Sequence, residues 1–356
     1  MAFGAYIHVP FCRHRCDYCA FATWTDRHHL EQRYLEACIA QVRAVRSSQR
    51  GMPAATSVFV GGGTPTLVDP DLLLAVIREL PLADGAEITI ECNPDDLTAD
   101  LARTYAAGGV TRLSIGVQSM VPEVLAALGR EHDPANVEVA VDAARSAGLS
   151  FNLDLVYGAA GETIDQWDAT LAATIALDPH HVSAYALTVE AGTPLAADPS
   201  RHPDDDTQAD AYQLATDRLG AAGYDWYEIS NWSKPGHECR HNLLYWTEGE
   251  YLAIGCAAHG HVDGRRYWNH RTPERFIAAI EEGRSPESGS EVLDTTERRV
   301  EGLQLAIRTR SGVPASEVAD ETVSSLEGLV ERTADDRVVL TPAGRLLANE
   351  VAIRLE

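Results

Sequence analysis

The feature that most constrains this chain is a sixfold alternation of short β-rich runs with amphipathic stretches across residues 4–190. The β-rich runs fall at 5–9, 57–60, 87–92, 112–117, 151–156 and 181–187. Helical periodicity occupies 30–45, 71–80, 100–107, 136–147 and 164–177 between them. Strands separated by whole helices pair in parallel, with the helices as right-handed crossovers. Six such units fall short of the eight that close a full barrel, so an open, partial (β/α)6 barrel is expected over residues 1–192. Barrel sites form at the C-terminal strand ends. Five of those ends carry polar residues or glycine: a cysteine loop after the first strand, then Gly61-Gly62-Gly63-Thr64-Pro65-Thr66, Glu91-Cys92-Asn93-Pro94, Gly116-Val117-Gln118-Ser119 and Asn152-Leu153-Asp154-Leu155.

The cysteine loop reads Cys12-Arg13-His14-Arg15-Cys16-Asp17-Tyr18-Cys19. A cubane iron–sulfur cluster usually takes four cysteines, one per iron. Three leave one iron open, and an open coordination position is how a metal site admits substrate. Two plainer readings stand beside this one. The i, i+4, i+7 spacing would also suit one buried helix face, since free cysteine packs as a small hydrophobe, and His14 could complete a zinc site. Pro10 and the neighbouring arginines favour a loop over a helix. No second Cys/His pair at hairpin spacing accompanies the triplet, which disfavours zinc. The remaining four cysteines, Cys38, Cys92, Cys239 and Cys256, are scattered and form no disulfide framework, so a reducing cytoplasmic setting is expected.

At 356 residues the chain suggests two or three domains. It has no apolar run long enough to span a bilayer and no secretory pattern at its start. The formal charge of −24 opposes nucleic-acid binding and docking on anionic lipid. Past residue 192 the alternation stops. A Pro/Asp-rich stretch at 194–206 reads as a linker into a connecting region, 193–290, with a helix at 207–222 and aromatics over 224–232. Helices at 296–308 and 315–330 and a basic hairpin then suggest a winged-helix-like unit over 291–356, making the C-terminal region mostly helical.

The cysteine loop, the triple glycine and the polar rim together resemble the radical S-adenosylmethionine (SAM) superfamily. The resemblance implies a 4Fe–4S cluster on Cys12, Cys16 and Cys19, with SAM at the open iron. It also implies that Tyr6 and Tyr18 lie against SAM, that Gly62, Gly63 and Thr64 contact its methionine part, and that Glu91 meets the ribose. Gln118, Arg130 and Asp154 would complete the polar shell. The glycines would then be bare backbone pressed against a ligand, and Arg130 offers a fork suited to a carboxylate.

Within that superfamily, Tyr6-Ile7-His8-Val9-Pro10-Phe11-Cys12, the Gly-Gly-Gly-Thr-Pro-Thr segment and Asp154-Leu155-Val156-Tyr157-Gly158 resemble the oxygen-independent coproporphyrinogen III oxidases and their relatives. The oxidases carry a fourth cysteine two residues after the third, where this chain has Phe21. His241-Asn242-Leu243-Leu244-Tyr245-Trp246 instead matches the His-Asn-x-x-Tyr-Trp signature of the HemW-type haem chaperones. That resemblance implies haem as cargo, delivered to haem-dependent respiratory enzymes; radical decarboxylation of coproporphyrinogen III is the alternative. His241 would be an axial haem ligand, a common role for imidazole, with Cys256 and His259 as second choices. Tyr245 and Trp246 would offer aromatic area to the porphyrin. A homodimer is the expected assembly.

Overall fold

The computed structural model describes residues 2–48 and 51–355. All six expected strands form: β1 (Phe3–Val9), β2 (Ala55–Gly62), β3 (Leu82–Cys92), β4 (Arg112–Gln118), β5 (Ser150–Tyr157) and β6 (His181–Ala186). They lie side by side in sequence order and pair in parallel. The crossovers are α1 (Glu31–Arg46), α2 (Pro70–Arg78), α3 (Ala99–Ala107), α4 (Pro122–Ala127), α5 (Ala135–Ser146) and α6 (Ile164–Ala176). Local chemistry sets the helix starts. Asp69, Thr98 and Thr163 each accept a backbone N–H of the first turn, and Thr163 with Gln166 forms a full capping box.

Strand periodicity divides the barrel wall into two faces. Ile7, Val9, Val60, Ile90, Leu113, Ile115, Leu153 and Val182 join one large apolar core with the helices. The alternate positions are polar and still buried: His8, Ser57, Glu87, Thr89, Arg112, Ser114, Asn152, His181 and Ser183. The barrel is therefore greasy outside, under the helices, and polar within.

Beyond residue 193 the chain is mixed rather than mostly helical. After α7 (Asp205–Ala221) come β7 (Asp225–Glu228), β8 (Asn231–Ser233), α8 (Arg240–Trp246), β9 (Glu250–Ile254), β10 (His259–Val262), β11 (Arg265–Asn269), α9 (Pro273–Glu281) and β12 (Glu287–Val292). These six strands extend the barrel sheet to twelve, in the order β12-β11-β10-β9-β1-β2-β3-β4-β5-β6-β8-β7. β9 lies parallel against β1, and Trp226, Trp232, Ile254 and Phe276 belong to the same core as the barrel. The stretch read as a linker packs down: Leu195 is buried and its N–H donates to the Asp17 carbonyl (3.0 Å).

The last unit comprises α10 (Thr295–Ala306), β13 (Val313–Pro314), α11 (Asp320–Ser325), β14 (Val330–Arg332), β15 (Arg337–Leu340), α12 (Pro342–Leu346) and α13 (Ala348–Ala352). Its three strands form a separate sheet, β13-β15-β14, around a core of its own that includes Leu303, Ile307, Val338 and Val351. The single helix expected at 315–330 is broken, because Val318 and Ala319 are extended between a 3-10 turn and α11.

Candidate functional site

The cysteine loop leaves β1 and is closed at its base by Cys12 N–H to the Trp24 carbonyl (3.1 Å) and Trp24 N–H to the Pro10 carbonyl (2.8 Å). Cys12, Cys16 and Cys19 are half-buried, whereas Cys38, Cys92, Cys239 and Cys256 are buried elsewhere. The loop contains no helix, so the plain packing reading of the triplet does not apply. Nor does the zinc reading gain support. Among the described residues no three metal-ligating side chains gather at one ion position, and His14 points to Glu131 (3.6 Å). A cubane places its ligands on separate irons, so its thiols need not meet at one point.

Neighbouring groups complete the environment. The Thr64 hydroxyl donates to Cys12 Sγ (3.7 Å), and Arg130 Nη1 donates to Cys16 Sγ (3.5 Å). Burial, with repulsion from the other thiols, pushes the Cys12 and Cys19 thiols up. Their deprotonation therefore calls for positive charge, which a metal cluster supplies. The Arg130 guanidinium is fixed by Nη2 donating to the Gly116 carbonyl (3.0 Å). Tyr18 packs on a small apolar cluster that includes Leu128 and Leu195.

The glycines answer to the protein itself. A Cβ on Gly63 would sit 2.5 Å from the Phe11 carbonyl oxygen and 2.8 Å from that of Val9. Its N–H donates to the Val9 carbonyl (2.7 Å), and the Thr64 N–H donates to that of Phe11 (2.8 Å). Gly62 has φ +112° and faces the His8 ring, and a Cβ on Gly61 would meet Glu91 Oε2 at 2.7 Å. The expectation that these glycines make room for a ligand is thus joined by a nearer cause: they let the second rim loop lie on the base of the cysteine loop.

Further along the rim, Glu91 Oε2 accepts the Gly62 N–H (3.0 Å). Burial, then the nearby Asp154 charge, push its carboxyl up to about 8. Asp154 accepts from Ser114 Oγ (2.7 Å) and Asn152 Nδ2 (2.7 Å). Gln118 has φ +63° at a register shift between β4 and β5, a left-handed conformation uncommon outside glycine. Tyr6 donates its hydroxyl to His8 Nδ1 (3.1 Å), and His8 Nε2 donates to the Ala22 carbonyl (3.0 Å).

Two ties that sequence reasoning did not single out hold the loop. One is that His8 clamp, foreshadowed only by the position of His8 on the polar face of β1. The other is Arg201, which donates to Asp17 Oδ2 (2.8 Å) and to the Ala127 carbonyl (2.7 Å) from the presumed linker. Nothing local in the sequence announces the second tie.

The structure does not bring His241 to this rim. It lies on α8 at the opposite, N-terminal end of the strands, where Ser57 Oγ bonds its Nδ1 (3.0 Å) and the Tyr245 hydroxyl its Nε2 (2.9 Å). The ring is fully buried, stacks on Phe59 at 5.6 Å, and burial lowers its pKa to about 3. Haem ligation at His241 would have to replace one of those two hydrogen bonds. Cys256 is also buried, its thiol pushed up to about 12, chiefly by burial. His259 is exposed and stacks on Trp268 at 5.8 Å.

Comparison with known proteins meets this geometry at both ends. Residues 6–173 match the model of the Radical SAM superfamily. The chain is 39% identical to "Heme chaperone HemW" of Mycobacterium tuberculosis over 98% of its own length and 93% of that protein's. The chain belongs to the HemW family. HemW of Escherichia coli is 38% identical, over 88% of this chain and 84% of the relative. The solved coproporphyrinogen III oxidase (HemN) of Escherichia coli, a radical SAM enzyme, superposes with a TM-score of 0.86 at 22% identity, covering 99% of this chain and 90% of that one, which establishes a shared fold. The superfamily match implies a 4Fe–4S cluster and SAM, and three half-buried thiols beside Arg130 and Thr64 suit that cluster. No helix among the described residues is long and apolar enough to cross a membrane.

Proposed function

We propose that this HemW-family chain is a cytoplasmic haem chaperone that delivers haem to haem-dependent respiratory proteins. Cys12, Cys16 and Cys19 would hold the 4Fe–4S cluster. Tyr6, Tyr18, Gly62, Gly63, Thr64, Glu91, Gln118, Arg130 and Asp154 would form the SAM surround. When bound, the cluster and SAM supply reductive cleavage of the sulfonium. The protein's own part is to orient and to exclude water. Burial keeps Glu91 protonated near neutral pH, so it can offer a hydroxyl both a donor and an acceptor. The observation that carries this reading is the relationship to a haem chaperone over 98% of the chain, which takes in the cysteine loop and α8 alike.

Phe21 weighs against the oxidase alternative. It stands at the position of the oxidase's fourth thiol, 66% exposed, and can neither bind iron nor move a proton. Haemin titration of anaerobically reconstituted protein, with and without SAM, tests the chaperone reading, which requires about one haem per chain. Multiple turnovers of coproporphyrinogen III to protoporphyrinogen IX by reduced, SAM-loaded protein would restore the enzyme. Sedimentation of the loaded protein tests the homodimer.

A further inference from the structure

A cleft of about 670 Å³ opens at the N-terminal end of the barrel, the end away from the cysteine loop. That volume falls in the roughly 300–1,000 Å³ range of small-molecule sites. Its charged lining is Glu87, Arg112, His237, Glu238, Arg240 and Arg310. Both carboxylates are already committed. Glu87 accepts the N–H groups of Arg240 and His241 at the start of α8 (3.2 Å each), and Glu238 accepts from Arg310 (3.1 Å). Arg240 donates to the Gly85 carbonyl (2.8 Å).

Arg112 differs from these. Its side chain leaves the polar face of β4 and the residue is only 6% exposed. Nη1 donates to the His237 carbonyl (3.2 Å) and Nε has no hydrogen-bond partner. Among the described residues Arg112 forms no ion pair, and its charge reaches the buried Asp154 carboxylate only at longer range. A buried guanidinium with an unpaired N–H is costly unless an acceptor completes it, and an anion is the acceptor that also answers its charge. The His237 ring also makes no hydrogen bond among the described residues and lies 4.7 Å from the ring of His180. In a chain of net charge −24, a pocket whose uncommitted groups are donors is set apart from its surroundings.

We propose that this cleft is a carboxylate site, in which Arg112 receives a propionate of haem. The assignment of haem rests on the chaperone reading; the carboxylate chemistry rests on Arg112 alone. It would place the cargo at the face of the barrel opposite the cluster, next to α8 and its His-Asn-Leu-Leu-Tyr-Trp segment.

The test compares binding of haemin and of its dimethyl ester to the full chain, followed by visible absorption, in the wild type and in Arg112→Met. Haemin should bind about tenfold more weakly to Arg112→Met, the loss expected for one hydrogen bond to a charged group. The ester should already bind the wild type that weakly and should not distinguish it from Arg112→Met. Because Arg112 is buried, that variant's melting is recorded alongside; the ester comparison in the wild type needs no folded variant. Equal affinities for haemin and ester in the wild type overturn the propionate site. A second arm follows melting in succinate. Stabilisation of the wild type but not of Arg112→Met, with haemin affinity unchanged, would assign the cleft to a free dicarboxylate and overturn the propionate. If the wild type binds no haemin at all, the chaperone reading fails, and the succinate arm still decides the carboxylate site.

Discussion

The Asn152 amide sets the tautomer of His181. Asn152 Oδ1 lies 2.6 Å from His181 Nδ1, which must therefore donate, because Nδ2 of the same amide is spent on Ser114 (2.6 Å) and Asp154 (2.7 Å). Burial keeps His181 neutral, so its Nε2 accepts from the Tyr227 hydroxyl (2.8 Å), whose oxygen in turn accepts the Cys239 N–H (3.3 Å). One directed hydrogen-bond chain thus runs through the barrel from the rim carboxylate to the start of α8.

Asn152→Ala removes the amide that orients this chain and leaves the His181 N–H unpaired. A loss of about 1–3 kcal/mol of unfolding free energy is expected. The decisive readout is the His181 ring by nitrogen NMR: Nδ1-protonated in the wild type, mixed in the variant. An unchanged single tautomer would show that Asn152 does not set it.

Anaerobically reconstituted protein is expected to hold about four irons and four sulfides per chain. Replacing Cys12, Cys16 or Cys19 by Ala should abolish the sulfide-to-iron absorption, whereas Cys38→Ala and Cys92→Ala, which alter buried core cysteines, should retain it. Retention of the cluster in Cys16→Ala would refute the ligand set.

Gly63→Ala drives a methyl group into the Phe11 and Val9 carbonyls. Overpacking of this kind costs about 1–3 kcal/mol, and here it falls on the base of the cysteine loop. Iron loading should drop together with the melting temperature. Full loading with weakened SAM binding would instead mean that the glycine serves the ligand rather than the loop.

The depressed pKa of His241, about 3 in the fold against about 6.5 when unfolded, makes the protein acid-sensitive. Between those values the unfolded chain binds one more proton than the folded one. The neutral ring's contribution is complete above about pH 6.5 and is lost as pH falls toward 3, by at most about 1.4 kcal/mol per pH unit. His241→Gln should therefore show a shallower fall in urea stability between pH 6 and 4. Parallel slopes for the two proteins would place the proton elsewhere.

The barrel was legible because its helices and strands repeat with different periods over six units, and each strand ends in a rim residue of evident chemistry. Arg130, Glu91 and Asp154 stand where the pattern of strand ends puts them, or one loop beyond. The strands at 225–292 were less legible: they run three to six residues, too short for alternation to separate strand from loop. Arg201 was invisible for a different reason, since its partner Asp17 is 184 residues away and no local period links them. His241 shows the reverse situation: its motif is plain in the sequence, but only the fold reveals that both ring nitrogens are hydrogen-bonded within the protein.

The parallel pairing of β1 with β9 has a consequence for biosynthesis. Phe3 pairs with Glu250 and Ile7 with Ile254, so one flank of the first strand waits for a segment made 247 residues later. At roughly 5–20 residues per second, that edge stays open on the ribosome for about 10–50 s. An uncovered edge strand is a template for wrong pairing, and this one leads straight into the cysteine loop. The nascent chain therefore presents an open edge strand and the three-cysteine loop together, and early, long before β9 exists to cover that flank.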